Sequence, residues 1–224
     1  MRYPNFNEEK KLWDQGNKFV VGLDESGRGP LAGPVVAVAL MININPKKYS
    51  DILNKVRIFL KIKDGKKLSE EKRQGWNEKI INHKNIQWGI GVVSEKIIDK
   101  INILEATKLA MEKALKDLSC KSDGRRIGRT ADFLLIDGNF KINSQTPQKS
   151  IIKADEKVFS CTAAGIIAKV ARDRIMIRLH KKYPRYGFKN HKGYGTQLHL
   201  QKLKRFGPCP IHRKSFSPVR TCLN

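Results

Sequence analysis

Residues 18–44 read KFVVGLDESGRGPLAGPVVAVALMINI, two apolar runs separated by a turn that is rich in glycine and proline. The first run, 18–23, and the second run, 35–44, have the β-branched and apolar character of short buried strands. The turn between them opens with the acids Asp24 and Glu25. This stretch predicts an antiparallel pair of strands, with two carboxylates directly after the first.

Beyond this pair, apolar runs of strand length alternate with patterns of helical period. The further predicted strands are 86–93, 132–136 and 149–153. Three predicted helices begin after caps at Ser69, Asn102 and Thr196, and a fourth covers 157–181. We therefore expect an α/β fold with a mixed five-stranded sheet and helices on both faces. The first three strands should be antiparallel and the last two parallel, and a helical C-terminal appendage should follow.

The chain has 224 residues, 40% of them hydrophobic, which suits one domain with a small appendage. We expect a leader over 1–17, the main domain over 18–195, and a C-terminal helix and tail over 196–224. No run of 18 apolar residues is present, which excludes a transmembrane helix. The polar N-terminus lacks a signal-peptide pattern and four cysteines are too few for a disulfide scaffold, so we expect a cytoplasmic protein.

Positive charge is the strongest global feature, since 45 Lys and Arg face 21 Asp and Glu for a formal net charge of +24. Residues 141–224 alone hold 19 basic and 3 acidic side chains, a net of +16. Such a surface attracts polyanions, most simply nucleic acid. We therefore expect basic residues of this third, among them Lys192, Arg213 and Lys214, to follow a phosphate backbone.

Four carboxylates lie where predicted strands end. Asp24 and Glu25 follow the first strand, Asp137 follows the fourth, and Asp155 comes just after the fifth. Ligands of an open α/β sheet collect at such strand ends, so these side chains should converge on one patch. Converging carboxylates need a compensating cation, and oxygen ligands suit Mg²⁺ or Mn²⁺, which can hydrolyse a phosphodiester as a pair. Taken singly, Asp137 with Gly138 also fits a turn and Asp155 a helix cap.

On these residues, a metal-dependent nuclease competes with two other classes of protein. A non-catalytic basic RNA-binding protein would explain the charge but not the carboxylates. A resolvase-like DNA nuclease of the same broad fold would also use metals held by carboxylates. Structural zinc is not expected, because the late histidines and cysteines lack paired ligand spacing. These residues are His191, His199, Cys209, His212 and Cys222.

Seven segments together resemble the ribonuclease HII family, in the family's order and over about residues 18–219. They are GLDESGRGPLAGPVVAVAL (22–40), KDGKKLSEEKR (63–73), INILEATKLAMEKAL (101–115), LLIDGN (134–139), KADEKVFSCTAAGIIAKVARDRIM (153–176), YGFKNHKGYGT (186–196) and FGPCPIHRKSFSPV (206–219). This resemblance implies a ribonuclease-H-like fold and an endonuclease that cuts the RNA strand of RNA–DNA hybrids. It also implies incision 5′ of single ribonucleotides in duplex DNA, which leaves 3′-hydroxyl and 5′-phosphate ends.

The resemblance also implies which residues carry the chemistry. The family's catalytic, metal-binding carboxylates fall on Asp24, Glu25, Asp137 and Asp155, and two Mn²⁺ or Mg²⁺ ions are expected per active site during catalysis. The expected partners are RNA–DNA hybrids and ribonucleotide-containing duplex DNA, without a membrane. We expect a monomer, and the sequence leaves a replication clamp open as a partner.

Substrate recognition is implied by two further motifs of the family. Its ribonucleotide-recognising glycine–arginine–glycine motif falls in the turn after Glu25, and glycines let a backbone approach a 2′-hydroxyl closely. Its aromatic residue beside the substrate sugar falls in KGYGT. Two lysines of KDGKKLS are candidate phosphate contacts. The expected substrate-binding residues are Gly27, Arg28, Gly29, Lys66, Lys67 and Tyr194.

Overall fold

The computed structural model describes residues 4–43, 68–120 and 131–222. Five strands form one sheet in the order β3-β2-β1-β4-β5. They are β1 (Val20–Ser26), β2 (Val35–Ile42), β3 (Ile86–Val93), β4 (Phe133–Asp137) and β5 (Gln148–Ile151). The β1–β2 and β2–β3 pairs are antiparallel, whereas the β1–β4 and β4–β5 pairs are parallel. The predicted mixed sheet is therefore confirmed.

Helices cover both faces of this sheet. They are α1 (Asn7–Asp14), α2 (Glu70–Ile81), α3 (Glu95–Cys120), α4 (Phe159–Lys182), α5 (Phe188–His191), α6 (Gln197–Phe206) and α7 (Ser217–Arg220), with 3₁₀ turns at Ala154–Glu156 and Pro184–Tyr186. Helix α3 packs on one face, and α4 packs on the other together with α1 and α2. The predicted C-terminal helical region is also present. None of the helices in the described parts of the chain could cross a bilayer.

The predicted helix caps are present. The Ser69 hydroxyl accepts a hydrogen bond from the Lys72 amide, and the Thr196 hydroxyl accepts one from the His199 amide. Asn102 caps the helical segment that follows it, but it does so inside α3, where its φ of 66° kinks the helix. The turn of helix over 95–101 was not predicted from the sequence.

Strand β1 begins two residues later and ends three residues later than the predicted strand 18–23, and the later end shapes the site. Asp24 and Glu25 belong to the strand, which stays paired with β2 as far as Ser26. On its other side, the pairing with β4 ends at Leu23 and Ile136. The two parallel strands therefore separate at the point where their acidic residues begin.

Part of the expected leader folds onto the domain. Helix α1 buries Leu12 and Trp13 in the core beside α4. The carboxyl group of Glu9 is also buried, and its Oε1 accepts hydrogen bonds from the backbone amide of Ser160 at 2.9 Å and from the Ser160 hydroxyl at 2.8 Å. Glu9 thus caps the first turn of α4, the helix that carries one wall of the site described below.

Candidate active site

Three carboxylates meet at the ends of adjacent strands. Asp24 comes from β1, Asp137 is the last residue of β4, and Asp155 lies in the 3₁₀ turn after β5. One carboxylate oxygen of each lies within 4.8 Å of the others, and Asp24 and Asp155 are buried. We call these three residues the acidic cluster.

Local packing places these carboxylates. Gly165 of α4 faces Asp24 so closely that a Cβ at this position would collide with the Oδ2 of Asp24. On the β4 side, the Oδ1 of Asp137 accepts a hydrogen bond of 2.7 Å from the Ala154 amide. This bond ties the end of β4 to the turn that carries Asp155.

The electrostatics of the acidic cluster favour a bound cation. Burial raises the pKa of Asp24 well above its ordinary value of 3.8, and the negative charges of Glu25, Asp137 and Asp155 raise it further. A divalent cation would relieve this repulsion, and an all-oxygen donor set matches Mg²⁺ or Mn²⁺. The residues present therefore fit a divalent metal ion.

Glu25 lies beside the acidic cluster and not within it. Its carboxylate does not belong to the group whose oxygens lie within 4.8 Å of one another, but its negative charge is close enough to raise the pKa of Asp24. Its Oε1 lies 3.4 Å from an Nη1 of Arg28, and it lines the same cavity as the cluster. The structure thus brings three of the four expected carboxylates into one group and places the fourth next to them.

The acidic cluster opens into a cavity of about 670 Å³. Its walls come from β1 and the following loop, the end of β4, the 3₁₀ turn after β5, helices α2 and α4, and the segment before α6. The lining residues are Asp24, Glu25, Ser26, Gly27, Arg28, Arg73, Asp137, Gly138, Asp155, Thr162, Gly165, Ile166, Lys169 and Tyr194. Gly29 is exposed outside this lining, and Lys66 and Lys67 lie outside the described residues.

The cavity also receives an exposed aromatic ring. Tyr194 is 41% exposed, with the Nζ of Lys169 at 5.4 Å and the Cζ of Arg172 at 5.8 Å from its ring centroid. Such cation–π contacts hold an aromatic ring while leaving part of it open to a ligand. Tyr194 and the acidic cluster therefore face the same space.

A buried arginine of the C-terminal tail holds the loop over residues 27–34, which we call the glycine–arginine loop. Arg213 is 0% exposed and donates to three carbonyl oxygens of this loop, those of Gly27 at 2.6 Å, Arg28 at 2.8 Å and Gly33 at 3.0 Å. The expectation that Arg213 follows a phosphate backbone is therefore wrong, because its donors are used inside the protein. The same expectation is wrong for Lys192, because this residue is buried and its Nζ donates to the Lys189 carbonyl.

Arg172 of α4 holds the other end of the same loop. It donates from Nε to the Pro34 carbonyl at 2.9 Å and from Nη2 to the Ala32 carbonyl at 3.0 Å. Gly27 has a φ of +104°, and a Cβ there would collide with the Arg172 side chain. Only glycine fits this position, because a side chain meets both a strained backbone and an occupied space.

Sequence reasoning missed two cations of the cavity wall, Lys169 and Arg73. Asp173 holds both, with its Oδ1 2.8 Å from the Nζ of Lys169 and its Oδ2 3.9 Å from an Nη1 of Arg73. Asp173 is itself buried, so it holds both cations from inside the wall of the cavity. The available signal was helical spacing, since Lys169 lies one turn after Gly165 on the face turned to the site.

A mixed sheet with this strand order and an acidic cluster at its strand ends defines the chain's class, that of proteins with a ribonuclease-H-like fold. The family model for ribonuclease HII matches residues 21–219. A ribonuclease HII of Chlamydia trachomatis serovar A is 48% identical over 218 residues, which cover 95% of this chain and 91% of the relative. The chain belongs to the ribonuclease HII family.

Solved structures agree with this assignment. The ribonuclease H2 of Pyrococcus horikoshii OT3 is 26% identical, with a TM-score of 0.67 over 91% of this chain and 96% of that one. The RNase HII in a complex with PCNA from Archaeoglobus fulgidus is 25% identical, with a TM-score of 0.66 over 89% of this chain and 95% of that one. The chain is thus an endoribonuclease, a hydrolase of RNA–DNA hybrids that depends on divalent metal ions.

Proposed function

We propose that this endoribonuclease also incises duplex DNA on the 5′ side of a single embedded ribonucleotide and leaves 3′-hydroxyl and 5′-phosphate ends. The observation that carries the proposal is that Gly27 and Arg28 share one cavity with the acidic cluster. Groups suited to contact a 2′-hydroxyl thus lie beside groups suited to hydrolyse a phosphodiester. An enzyme that selects its cleavage position by recognising one ribose needs the recognising groups and the hydrolysing groups within about one nucleotide of each other.

Asp24, Asp137 and Asp155 would hold the divalent cations, with Glu25 at the margin of the site. Bound Mg²⁺ or Mn²⁺ ions, two per site during catalysis, would supply a nucleophile at neutral pH and stabilise charge on the leaving oxygen. The chain's own part is to fix the carboxylates before substrate arrives. The contact with Gly165 and the hydrogen bond to the Ala154 amide serve this purpose.

Recognition of the ribonucleotide would fall to the glycine–arginine loop. Without a side chain, Gly27 lets backbone groups approach the sugar, and the exposed Arg28 guanidinium offers charged donors to the adjacent phosphate. Gly29 completes the motif on the exposed side of the loop. Because Arg213 and Arg172 bind the loop's carbonyls, its shape is set in advance, which limits the entropy lost on binding.

Contacts to the flanking strand would come from an aromatic ring and several cations. Tyr194 would stack on the sugar that follows the ribonucleotide and so sense the junction with deoxyribose. Lys169, held by Asp173 at the cavity wall, would contact a phosphate. Lys66 and Lys67 stay proposed phosphate contacts.

The domain organisation is part of the same proposal. Residues 18–195 would form the catalytic domain, and residues 196–224 would contribute to substrate binding. The contacts of Arg213 with the glycine–arginine loop support this contribution. The tail would therefore act through the shape of the loop.

An end-labelled DNA duplex with one ribonucleotide tests the proposal. The protein is incubated with this duplex, an all-DNA duplex and a uniform RNA–DNA hybrid, each with Mg²⁺ or Mn²⁺. We expect a metal-dependent cut directly 5′ of the ribonucleotide, an end that a polymerase can extend, and an intact all-DNA duplex. Cleavage of the hybrid alone would restrict the chain to hybrids, and cleavage of the all-DNA duplex would indicate a resolvase-like nuclease.

A further inference from the structure

Three histidines form a buried group behind Tyr194, outside the acidic site. His191, His199 and His212 are 8%, 0% and 1% exposed. The rings of His191 and His199 stack with centroids 4.4 Å apart, and those of His199 and His212 lie 5.2 Å apart. Phe188 packs against all three rings at centroid distances of 5.5–5.7 Å. We call these three residues the histidine cluster.

Backbone partners fix the direction of each hydrogen bond in this cluster. The Nδ1 of His199 lies 2.9 Å from the Tyr194 carbonyl, which can only accept, so Nδ1 carries the proton. The Nε2 of His199 is then the acceptor in the 3.0 Å contact with the Nε2 of His212. His212 therefore donates from its Nε2, which leaves its Nδ1 as the acceptor for the Cys209 amide at 2.9 Å, closer than the Cys209 carbonyl at 3.3 Å.

His191 acts on the neighbouring residue of the same segment. Its Nδ1 accepts a hydrogen bond from the Gly193 amide at 3.2 Å, and its Nε2 donates to the Tyr186 carbonyl at 2.9 Å. Side chains of the cluster therefore contact the backbone of Gly193 and of Tyr194, one after the other.

These contacts hold a backbone that has little local reason to adopt its conformation. Lys192 and Gly193 have φ values of 50° and 86°, in the left-handed region, and such a conformation at a lysine persists only where the surroundings impose it. The carbonyl of Gly193 also accepts a hydrogen bond of 2.8 Å from the amide of Leu31, in the glycine–arginine loop. The segment before Tyr194 is thus tied to the histidine cluster on one side and to that loop on the other.

The cluster keeps this arrangement at neutral pH. Burial lowers the pKa of His199 and of His212 to about 4, and burial also lowers the pKa of His191. All three rings are therefore neutral near pH 7, and each keeps one donor and one acceptor nitrogen.

The cluster does not have the ligands of a metal centre. Within the described residues, no third His, Cys, Asp or Glu joins His199 and His212 in a metal-binding group. The Sγ of Cys209 lies 3.1 Å from the Nδ1 of His212, on the side of the ring away from His199. The nitrogens of these rings serve hydrogen bonds.

We infer that the histidine cluster positions Tyr194, and that the chain's preference for a ribonucleotide–deoxyribonucleotide junction depends on the hydrogen bond from His199 to the Tyr194 carbonyl. His212 holds His199 in the tautomer that can make this bond. His191 fixes the preceding residue, so the Tyr194 ring enters the cavity from one defined direction. The inference rests on the function proposed above, in which Tyr194 contacts the substrate sugar.

Two substitutions at one position separate this role from general packing. His199→Asn puts an amide donor near the position of Nδ1 and keeps the bond to Tyr194. His199→Gln puts its amide near the position of Nε2, so it keeps a partner for His212 but loses the bond to Tyr194. The readout is the junction preference, defined as kcat/KM on a single-ribonucleotide duplex divided by kcat/KM on a uniform RNA–DNA hybrid.

We expect His199→Gln to lower the junction preference by about tenfold and His199→Asn to keep it within about threefold of the unmodified chain. Tyr194→Ala is measured beside them and should lose the preference as His199→Gln does. If Tyr194→Ala loses it and His199→Gln keeps it, the positioning role is wrong while the role of Tyr194 stands. If His199→Asn loses it as His199→Gln does, the bond to Tyr194 is not the determinant. If Tyr194→Ala keeps it, the proposed contact of Tyr194 with the sugar fails, and the inference fails with it.

A spectroscopic measurement on the unmodified chain does not depend on any variant folding. In ¹⁵N-histidine-labelled protein at pH 7, ring nitrogen shifts identify which nitrogen of each histidine carries the proton. We expect His199 as the Nδ1–H tautomer, and His191 and His212 as the Nε2–H tautomers. A protonated Nε2 with a bare Nδ1 at His199 would overturn the inference.

Discussion

Gly165 shows how one missing side chain sets the geometry of the acidic cluster. Helix α4 lies directly against the Oδ2 of Asp24 at this position. In Gly165→Ala the new methyl group must displace the Asp24 carboxylate or the helix, so we expect kcat on an RNA–DNA hybrid to fall by about tenfold or more. Circular dichroism would show whether the fold is retained. Wild-type kcat in the folded variant would contradict the assigned role of this contact.

Gly75 provides the matched control for that substitution. It is exposed in the middle of α2, and among the residues that the structure describes, nothing outside its own helix lies within 4 Å of the position that a Cβ would take. We expect Gly75→Ala to keep full activity and to raise the free energy of unfolding by about 0.5–1 kcal/mol, because alanine loses less backbone entropy than glycine in a helix. Urea unfolding measures this gain.

Arg28 is the exposed side chain of the glycine–arginine loop, while the backbone of the loop is held by Arg213. Since its guanidinium should act only near the ribose, we expect Arg28→Ala to reduce discrimination between duplexes that differ in a single 2′-hydroxyl. Arg178→Ala removes the same charge from the exposed face of α4 and should leave this discrimination unchanged. If Arg28→Ala discriminates between the two duplexes as well as Arg178→Ala does, Arg28 has no role in ribonucleotide recognition.

At the scale of an element, α1 is joined to α4 through a buried acid. Burial raises the pKa of Glu9 from 4.5 to about 7. The folded state therefore holds a proton that the unfolded chain releases above pH 4.5, and stability is lost as the pH rises toward 7. At about 1.4 kcal/mol per pKa unit, this loss amounts to about 3 kcal/mol for the buried group. Glutamine does not titrate, so we expect Glu9→Gln to lack this pH-dependent loss. Urea unfolding at pH 5 and pH 8 should therefore show that the free energy of unfolding of the wild type falls relative to that of the variant.

Glu8 gives the control from the same helix. Its pKa is lowered, chiefly by the hydrogen bond with Lys149, so its stabilising effect is lost only as the pH falls below 4.5. The difference in stability between wild type and Glu8→Gln should therefore stay constant between pH 5 and pH 8. A difference for Glu9→Gln that stays equally constant would contradict a buried, protonated Glu9.

Elements with a local signal were predictable from the sequence, and those that depend on distant partners were not. The strand 86–93 has the predicted limits, because its apolar pattern is bounded by polar residues on both sides. Strand β1 continues into Asp24 and Glu25 because β2 keeps pairing with it, which its own acids do not indicate. Helix α1 has only two buried apolar residues, so its stability comes from contacts with α4 that no local pattern encodes.

At the scale of the whole molecule, the net charge of +24 predicts strong but salt-dependent binding. Each phosphate contact contributes about −0.9 to the slope of log K against log salt. Lys214 is exposed, so Lys214→Ala should reduce the magnitude of this slope by about one if the side chain meets a phosphate. Fluorescence anisotropy on a hybrid at several salt concentrations measures the slope.

The buried Arg213 should behave in the opposite way. Arg213→Lys keeps the charge but loses the fork of donors that binds three carbonyls, so we expect weaker ribonucleotide discrimination with an unchanged salt slope. A changed slope with intact discrimination would return Arg213 to the phosphate-contacting surface.

The same division between local and distant signals holds for the candidate site. Asp24, Asp137 and Asp155 could be predicted because parallel strands bring their ends together, whatever the details of packing. The parts that hold the site were not predictable in this way. Arg172 and Arg213 contact a loop that lies 138 to 186 residues away along the chain, and the histidine cluster joins His191 and His199 to the more distant His212. Their roles depend on which backbone carbonyls they reach, and composition and charge give no sign of this.

The most direct test of the acidic cluster compares Asp137→Asn with Asp132→Asn, the same change at the opposite end of β4. Asp132 accepts hydrogen bonds from the amides of Lys18 and Phe19, which the amide oxygen of asparagine can also accept. We expect Asp137→Asn to bind an RNA–DNA hybrid at least as tightly as wild type and to cleave it about 1,000-fold more slowly or worse, while Asp132→Asn stays active. Cleavage by Asp137→Asn at the wild-type rate would contradict the assignment of the active site.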